Sequence, residues 1–306
     1  MQNTNCKIIS IILTYLLPLA LLAAVNASAA GQVQQEAKNG LSTTTFNTPQ
    51  GRVVLSLPND MRAGDTITGT VIAERRGSTE PIAGYSMQIA DKNTALSIPV
   101  FTFVAPGAGS MPLILKNSAG TEVGRAVIPI QPASTAAPSN LVLPPFGQNG
   151  RPLMIPGKFD GDASNTSVTI GGKPVDVIAE SPRKVVIQIP PGPNGPTTIT
   201  VTEQGKTTTG AFRNVGVNLS APKTSLMKGE KTTVTVQVSG LQGIKQNLPM
   251  DLVTTGVVNM EGGNTQHITI QPSEVQAGGT ASLTRTLTGI TPGTFNVTAT
   301  VIVPRK

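Results

Sequence analysis

The apolar positions of this chain recur every second residue. Val53, Leu55 and Leu57 recur at this spacing, and Ile67, Gly69, Val71 and Ala73 lie opposite Thr66, Thr68 and Thr70. The same period returns in Val185, Ile187 and Ile189, in Ile199 and Val201 against Thr198, Thr200 and Thr202, and in Val234, Val236 and Val238. It closes with Phe295, Val297, Ala299, Val301 and Val303. β-branched residues on one face and threonines on the other are what a half-buried antiparallel strand requires. No segment after the first thirty residues keeps a 3.6-residue period over three turns, so the pattern predicts an all-β chain. Turn residues punctuate it at sandwich spacing: Pro58-Asn-Asp60, Ala63-Gly-Asp65, Gly171-Gly172, Pro190 to Gly195, Gly229, Gly262-Gly263, Gly278-Gly279 and Thr291-Pro-Gly293. The expectation is a row of tandem β-sandwich domains.

The start of the chain follows a different rule. Lys7 precedes an apolar run from Ile8 to Val25, and Ala27-Ser-Ala29 ends it with the small residues a signal peptidase reads. Residues 1–29 are therefore expected to be a signal peptide cleaved after Ala29 or one residue later, Pro18 and the small-residue end favouring cleavage over an uncleaved span. No later segment is long and apolar enough to span a membrane. Residues 30–50 are polar, with Gln32, Gln34, Gln35 and Thr43 to Thr45, and read as a flexible leader. A first sandwich of unassigned family is expected over 51–131. Gln131-Pro-Ala-Ser-Thr-Ala-Ala-Pro-Ser-Asn140 has the composition of a linker, placed at 132–139. Further sandwiches are expected over 140–214 and 215–306.

Composition narrows the function. The only cysteine, Cys6, lies in the expected signal peptide, so the exported chain has no disulfide and no zinc-thiolate site. Losing Lys7 lowers the formal charge from +7 to +6. Those charges come in scattered pairs such as Arg75-Arg76 and Arg183-Lys184, which read as a solvated surface, and with few aromatics to stack bases, nucleic acid is not expected as a partner.

In the middle segment the residues carry a resemblance. Pro144-Pro-Phe-Gly147, Ile155-x-Gly157-x-Phe159, Val168-x-Ile170-Gly-Gly172 and the Pro190-Pro-Gly-x-x-Gly195 turn, followed by Ile199-Thr-Val201, are similar to the IPT/TIG domain over about residues 140–214. The resemblance implies an immunoglobulin-like fold with no catalytic residues to carry over. The last segment, with Ser220-Ala-Pro222, Met227-Lys-Gly-Glu230 and Pro292-Gly-Thr-Phe-Asn-Val297, more weakly resembles bacterial immunoglobulin-like repeats.

Three constellations suggest chemistry. His267, the only histidine, sits in Gln266-His-Ile-Thr-Ile270 on the polar side of a strand, without a Gly-x-Ser-x-Gly elbow, and is expected to be an exposed strand residue. Gly205-Lys206-Thr207 ends like a phosphate loop, but Thr200 stands where its first glycine belongs and no helix can follow, so a hairpin turn is expected. Asp160-Gly-Asp162-Ala-Ser164-Asn165 begins like a calcium loop, because alternate carboxylates aim hard oxygens at one centre. It then fails: Asn165 replaces the sixth-position glycine and Gly171 the twelfth-position glutamate. Whether Asp160 and Asp162 bind calcium stays open, and no catalytic, cofactor or metal residue is assigned. The sequence thus points to an exported, non-catalytic interaction or structural module, periplasmic, at the cell surface or extracellular, whose partner is a protein or an envelope polymer. A glycan-binding accessory protein is the alternative, and a carboxylate-pair hydrolase is a more distant one.

Overall fold

A computed structural model describes residues 33–75, 84–89, 92–95, 99–134 and 140–303. The expected signal peptide and residues 135–139 of the expected linker lie outside them. Every described regular element is a strand, apart from 3-10 turns at Ala163–Asn165 and Pro272–Glu274. The all-β, immunoglobulin-like expectation therefore holds. The described chain divides into two compact units, one running to Gly216 and including Val303, the other Val217–Ile302.

The first unit opens with β1 (Val33–Lys38), β2 (Leu41–Thr48), β3 (Gly51–Pro58) and β4 (Thr66–Arg75), which pair in sequence order as antiparallel neighbours. β5 (Ser86–Ile89), β6 (Lys92–Ala95), β7 (Val100–Val104), β8 (Gly109–Lys116) and β9 (Glu122–Ile130) complete a sandwich. β7 pairs with β4, whereas β6-β5-β8-β9 form the facing sheet. The alternation places Val53, Leu55, Leu57, Ile67 and Val71 from one sheet against Met87, Ile89, Met111, Leu113, Leu115 and Ile128 from the other. With one tyrosine and a few phenylalanines to hand, aliphatic side chains fill this core, each contributing roughly 1.5–3 kcal/mol when fully buried.

The middle segment builds a second sandwich from β10 (Gly147–Gln148), β11 (Pro152–Pro156), β12 (Thr166–Ile170), β13 (Lys173–Val175), β14 (Val177–Ser181), β15 (Lys184–Gln188), β16 (Gly195–Glu203) and β17 (Lys206–Ser220). One layer is β13-β12-β16-β17 and the other β14-β15-β11, with Ile155, Phe159, Val168, Ile187, Ile199, Val201 and Phe212 between them.

The sequence does not announce the next feature. β14 pairs with β4, so β1-β2-β3-β4-β14-β15-β11 is one continuous sheet running through both sandwiches. Thr68, expected on an outward polar face, is fully buried because β14 and the loop before η1 (Ala163–Asn165) cover it.

The flexible leader expected over 30–50 is corrected by the same sheet. β1 and β2 form a hairpin about Asn39-Gly40, with Val33 opposite Phe46 and Lys38 opposite Leu41. β2 buries Leu41, Thr44, Phe46 and Thr48. Two of those four are threonines, so the inward face read as polar, and the hydrophobic pattern was too thin to announce a strand. Phe46 lies over Gly124, where an added Cβ would stand 2.6 Å from its ring. Leu41 packs on Ala179 and Val186 of the middle sandwich.

The second unit holds β18 (Ser225–Leu226), β19 (Lys231–Ser239), β20 (Leu248–Gly256), β21 (Val258–Met260), β22 (Thr265–Ile270), β23 (Thr280–Gly289) and β24 (Gly293–Val301). Its sheets are β18-β24-β20-β22 and β19-β23-β21, with Val234, Val236 and Val238 buried as their alternation requires.

Candidate functional site

The densest polar chemistry among the described residues lies along the seam between β4 and β14. At one end the turn residues Asn59, Asp60 and Asp65 of the first sandwich meet Arg183 and Lys184 of the middle one. Arg183 Nε is 3.2 Å from Asp60 Oδ2, its Nη2 donates to the Asp60 carbonyl at 2.7 Å, and the same nitrogen bonds Asp65. Lys184, nearly buried, stands 3.1 Å from Asp60 Oδ1 and donates to Asn59 Oδ1, while the Ser181 hydroxyl donates to Asp60. Desolvation works against the Arg183 charge, but Asp65 and Asp60 more than offset it and hold the guanidinium firmly protonated. The pair Arg183-Lys184, read from sequence as solvated, is therefore an internal partner of two turn aspartates. A planar guanidinium spanning two carboxylates and a carbonyl fixes orientation as well as charge.

Beside it, the loop carrying Asp160 closes on β4 at Thr66 and Thr68. Gly161 adopts φ +85°, and a Cβ there would meet the Thr66 carbonyl oxygen at 1.9 Å, so only glycine permits this approach. Thr68 Oγ1 donates to the Gly161 carbonyl at 2.8 Å and accepts from Ala163 N at 3.1 Å. Its one proton being used, it accepts from Thr102 Oγ1 as well, at 3.0 Å.

Directly behind Gly161, the carboxylates of Asp160, Glu180 and Glu203 converge, each offering an oxygen within 4.8 Å of the others. Asp160 accepts from Asp162 N, Asn165 Nδ2 and Gln204 Nε2 at 2.8, 2.7 and 3.2 Å. Glu203 accepts from Asp160 N at 3.0 Å and from the Thr166 hydroxyl. Glu180 accepts from Gly161 N through Oε1 at 3.1 Å, but its Oε2 is buried without a hydrogen-bond partner. Burial is the largest cause raising the Glu180 carboxyl to about 8; Glu203 and Asp160 add to it, against the weaker pull of the Thr166 hydroxyl and the Gly161 amide. Asp160 moves the opposite way: burial tends to raise it, but the donors around it together hold it below the usual carboxylate range.

A family model fits the second of these sandwiches. Residues 141–214 are an IPT/TIG domain. No curated protein matches the chain. Among solved structures, it is similar to the SGBP-B protein of a Bacteroides ovatus mixed-linkage glucan utilization locus, solved with a mixed-linkage heptasaccharide, at 13% identity and TM-score 0.27, covering 87% of this chain and 83% of that one. An SGBP-B from a Bacteroides uniformis xyloglucan utilization locus gives 12% identity and TM-score 0.27, covering 90% and 98%. The Escherichia coli adhesin FdeC gives 13% identity and TM-score 0.21, covering 81% and 91%. What those proteins bind is a property of those proteins.

The IPT/TIG domain brings together residues that sequence reasoning held apart. Asp160 belongs to the carboxylate cluster. Asp162 does not: it caps η1, accepting from Ser164 N at 3.1 Å. Glu180 and Glu203, on β14 and β16, were not singled out, because a calcium-loop search looks within one stretch of chain. The only local sign was Glu180 itself, an acid inside the run Val177-Ile-Ala-Glu-Ser181 on the same strand as Ala179. Glu180, the innermost of the three, is fully buried. Gly205 and Gln204 form the turn of the β16–β17 hairpin, with Glu203 opposite Lys206. His267 lies on β22 with its side chain 79% exposed, and its Nδ1 is 2.5 Å from Asp251 Oδ1 on β20.

Among the described residues, no helix is long and apolar enough to cross a membrane.

Proposed function

We propose that this chain is an exported, non-catalytic β-sandwich protein that acts as an interaction or structural module in the periplasm, at the cell surface or outside the cell. The observation that carries the reading is the seam. A sheet shared by two sandwiches, locked by Arg183 and Lys184 on Asp60 and Asp65 and by Gly161 on Thr68, uses its buried polar residues to fix two domains together. A rigid platform of this kind suits the presentation of loops and strand edges to a large partner, at roughly 800 Å² per side for a standard interface. The sole histidine is exposed with the Asp251 carboxylate beside it.

The partner is a protein or an envelope polymer. Surface plasmon resonance of the mature chain against soluble envelope polysaccharides and isolated surface proteins tests this: saturable binding with the ligand recovered unchanged is expected. Turnover of a polysaccharide at a rate lost on substitution of an acidic residue would replace the reading with a hydrolase.

A further inference from the structure

We propose that Asp160, Glu180 and Glu203 bind an oxygen-seeking divalent cation, with calcium the best fit, at the seam between the first sandwich and the IPT/TIG domain. Acidic clusters are common on protein surfaces, so convergence within 4.8 Å does not by itself make a site. Glu180 is the deciding residue. Its side chain is 0% exposed, its Oε2 has no hydrogen-bond donor, and its carboxylate is turned toward two others. A buried oxygen without a partner requires an explanation, and an ion is one of the few that fits an anionic pocket.

The two polar clusters of the seam differ in how they handle charge. Asp60 and Asp65 are answered by Arg183 and Lys184. The donors reaching Asp160, Glu180 and Glu203 are all neutral: amide N–H groups of Asp160, Gly161 and Asp162, side-chain amides of Asn165 and Gln204, and the Thr166 hydroxyl. Three carboxyl groups thus face one another, and among the described residues the hydrogen bonds they accept come from uncharged donors. Their donor set is entirely hard oxygen, which suits calcium, magnesium or manganese and lacks the sulfur and imidazole that zinc and copper favour. One loop and two strands supply the ligands at irregular intervals, and calcium's tolerant coordination accepts such a site more readily than magnesium's octahedron, with water filling the remaining positions.

The placement gives the ion a task. Asp160 precedes Gly161, which is bonded to Thr68 of β4, and Glu180 sits opposite Thr68 on β14. All three ligands belong to the IPT/TIG domain, so an ion bound there stabilises by mass action the loop and strand on which β4 is seated.

The experiment uses the full mature chain, stripped with chelator, in calorimetric titration with calcium chloride and in thermal unfolding across the same series. The series extends about tenfold above the range of roughly 10⁻⁴–10⁻³ M typical of extracellular calcium modules. One saturable site and a melting temperature that rises with calcium are expected. Glu180→Gln keeps the side-chain shape and the acceptor for Gly161 N, and should lose both responses; Asp162→Asn, outside the cluster, should keep both. If Glu180→Gln does not fold, Glu203→Gln takes its place. The absence of binding in the wild type over this range, or an unchanged calcium response in the glutamine variant, would overturn the proposal.

Discussion

Gly161→Ala is the sharpest perturbation of the seam. The new methyl group would occupy a backbone at φ +85° and lie 1.9 Å from the Thr66 carbonyl oxygen, with the carbonyl carbon at 2.7 Å. Holding an L residue in the left-handed region costs about 1–2 kcal/mol. The contact with backbone cannot be relieved by a side-chain rotation, so the loop must withdraw from β4. Withdrawal breaks three bonds: Gly161 N to Glu180, Thr68 to the Gly161 carbonyl, and Ala163 N to Thr68. At about 1 kcal/mol each, the total loss is roughly 4–5 kcal/mol. Gly205→Ala is the matched control, because its φ of +77° carries the same strain while an added Cβ there meets nothing within 4 Å. It should lose only about 1–2 kcal/mol. Urea unfolding followed by circular dichroism measures both, and in a thermal scan Gly161→Ala should lie about 6–12 °C below the control at 2–4 °C per kcal/mol. Equal losses in the two variants, within about 0.5 kcal/mol, would refute the close approach of the loop to β4.

Other consequences are simpler to state. Asp60→Ala removes a shared partner of Arg183 and Lys184, whose side chains are 21% and 6% exposed, and should lower stability by about 2–3 kcal/mol, short of the loss for a fully buried pair because Asp60 itself is 26% exposed. A double-mutant cycle with Arg183→Ala should show coupling, and strict additivity would mean the bridge is not formed. His267→Ala should change stability by no more than about 0.5 kcal/mol and leave binding of any partner intact, as measured by the same urea and resonance assays. Proteolytic nicking within 132–139 should yield two fragments that co-elute in gel filtration, since the first sandwich and the IPT/TIG domain share a sheet; separation without denaturant would count against the seam.

Much of the fold was legible because it is local. Val53, Leu55 and Leu57 show their inward face without help from distant residues, and Gly205 marks its hairpin through the threonine-rich strands beside it. β2 was lost because its inward positions are filled by Thr44 and Thr48 as well as Leu41 and Phe46. The seam was illegible for a different reason. Arg183 finds Asp60 and Asp65 across 123 and 118 residues, and Lys184 finds Asn59 across 125, separations at which no spacing rule operates. Each looked solvated in its own neighbourhood. The acidic cluster was half visible: Asp160 stood in a suggestive loop, but the residue that makes the site, Glu180, acquires its meaning only from the sandwich that buries it.

Differential scanning calorimetry of residues 30–306 tests the central claim, that the first sandwich and the IPT/TIG domain form one cooperative body. At about 0.7 kcal/mol per residue, the shared unit should melt in a single transition of roughly 130 kcal/mol, with calorimetric and van't Hoff enthalpies in agreement. A separate transition of roughly 70 kcal/mol belonging to the first sandwich alone would contradict it.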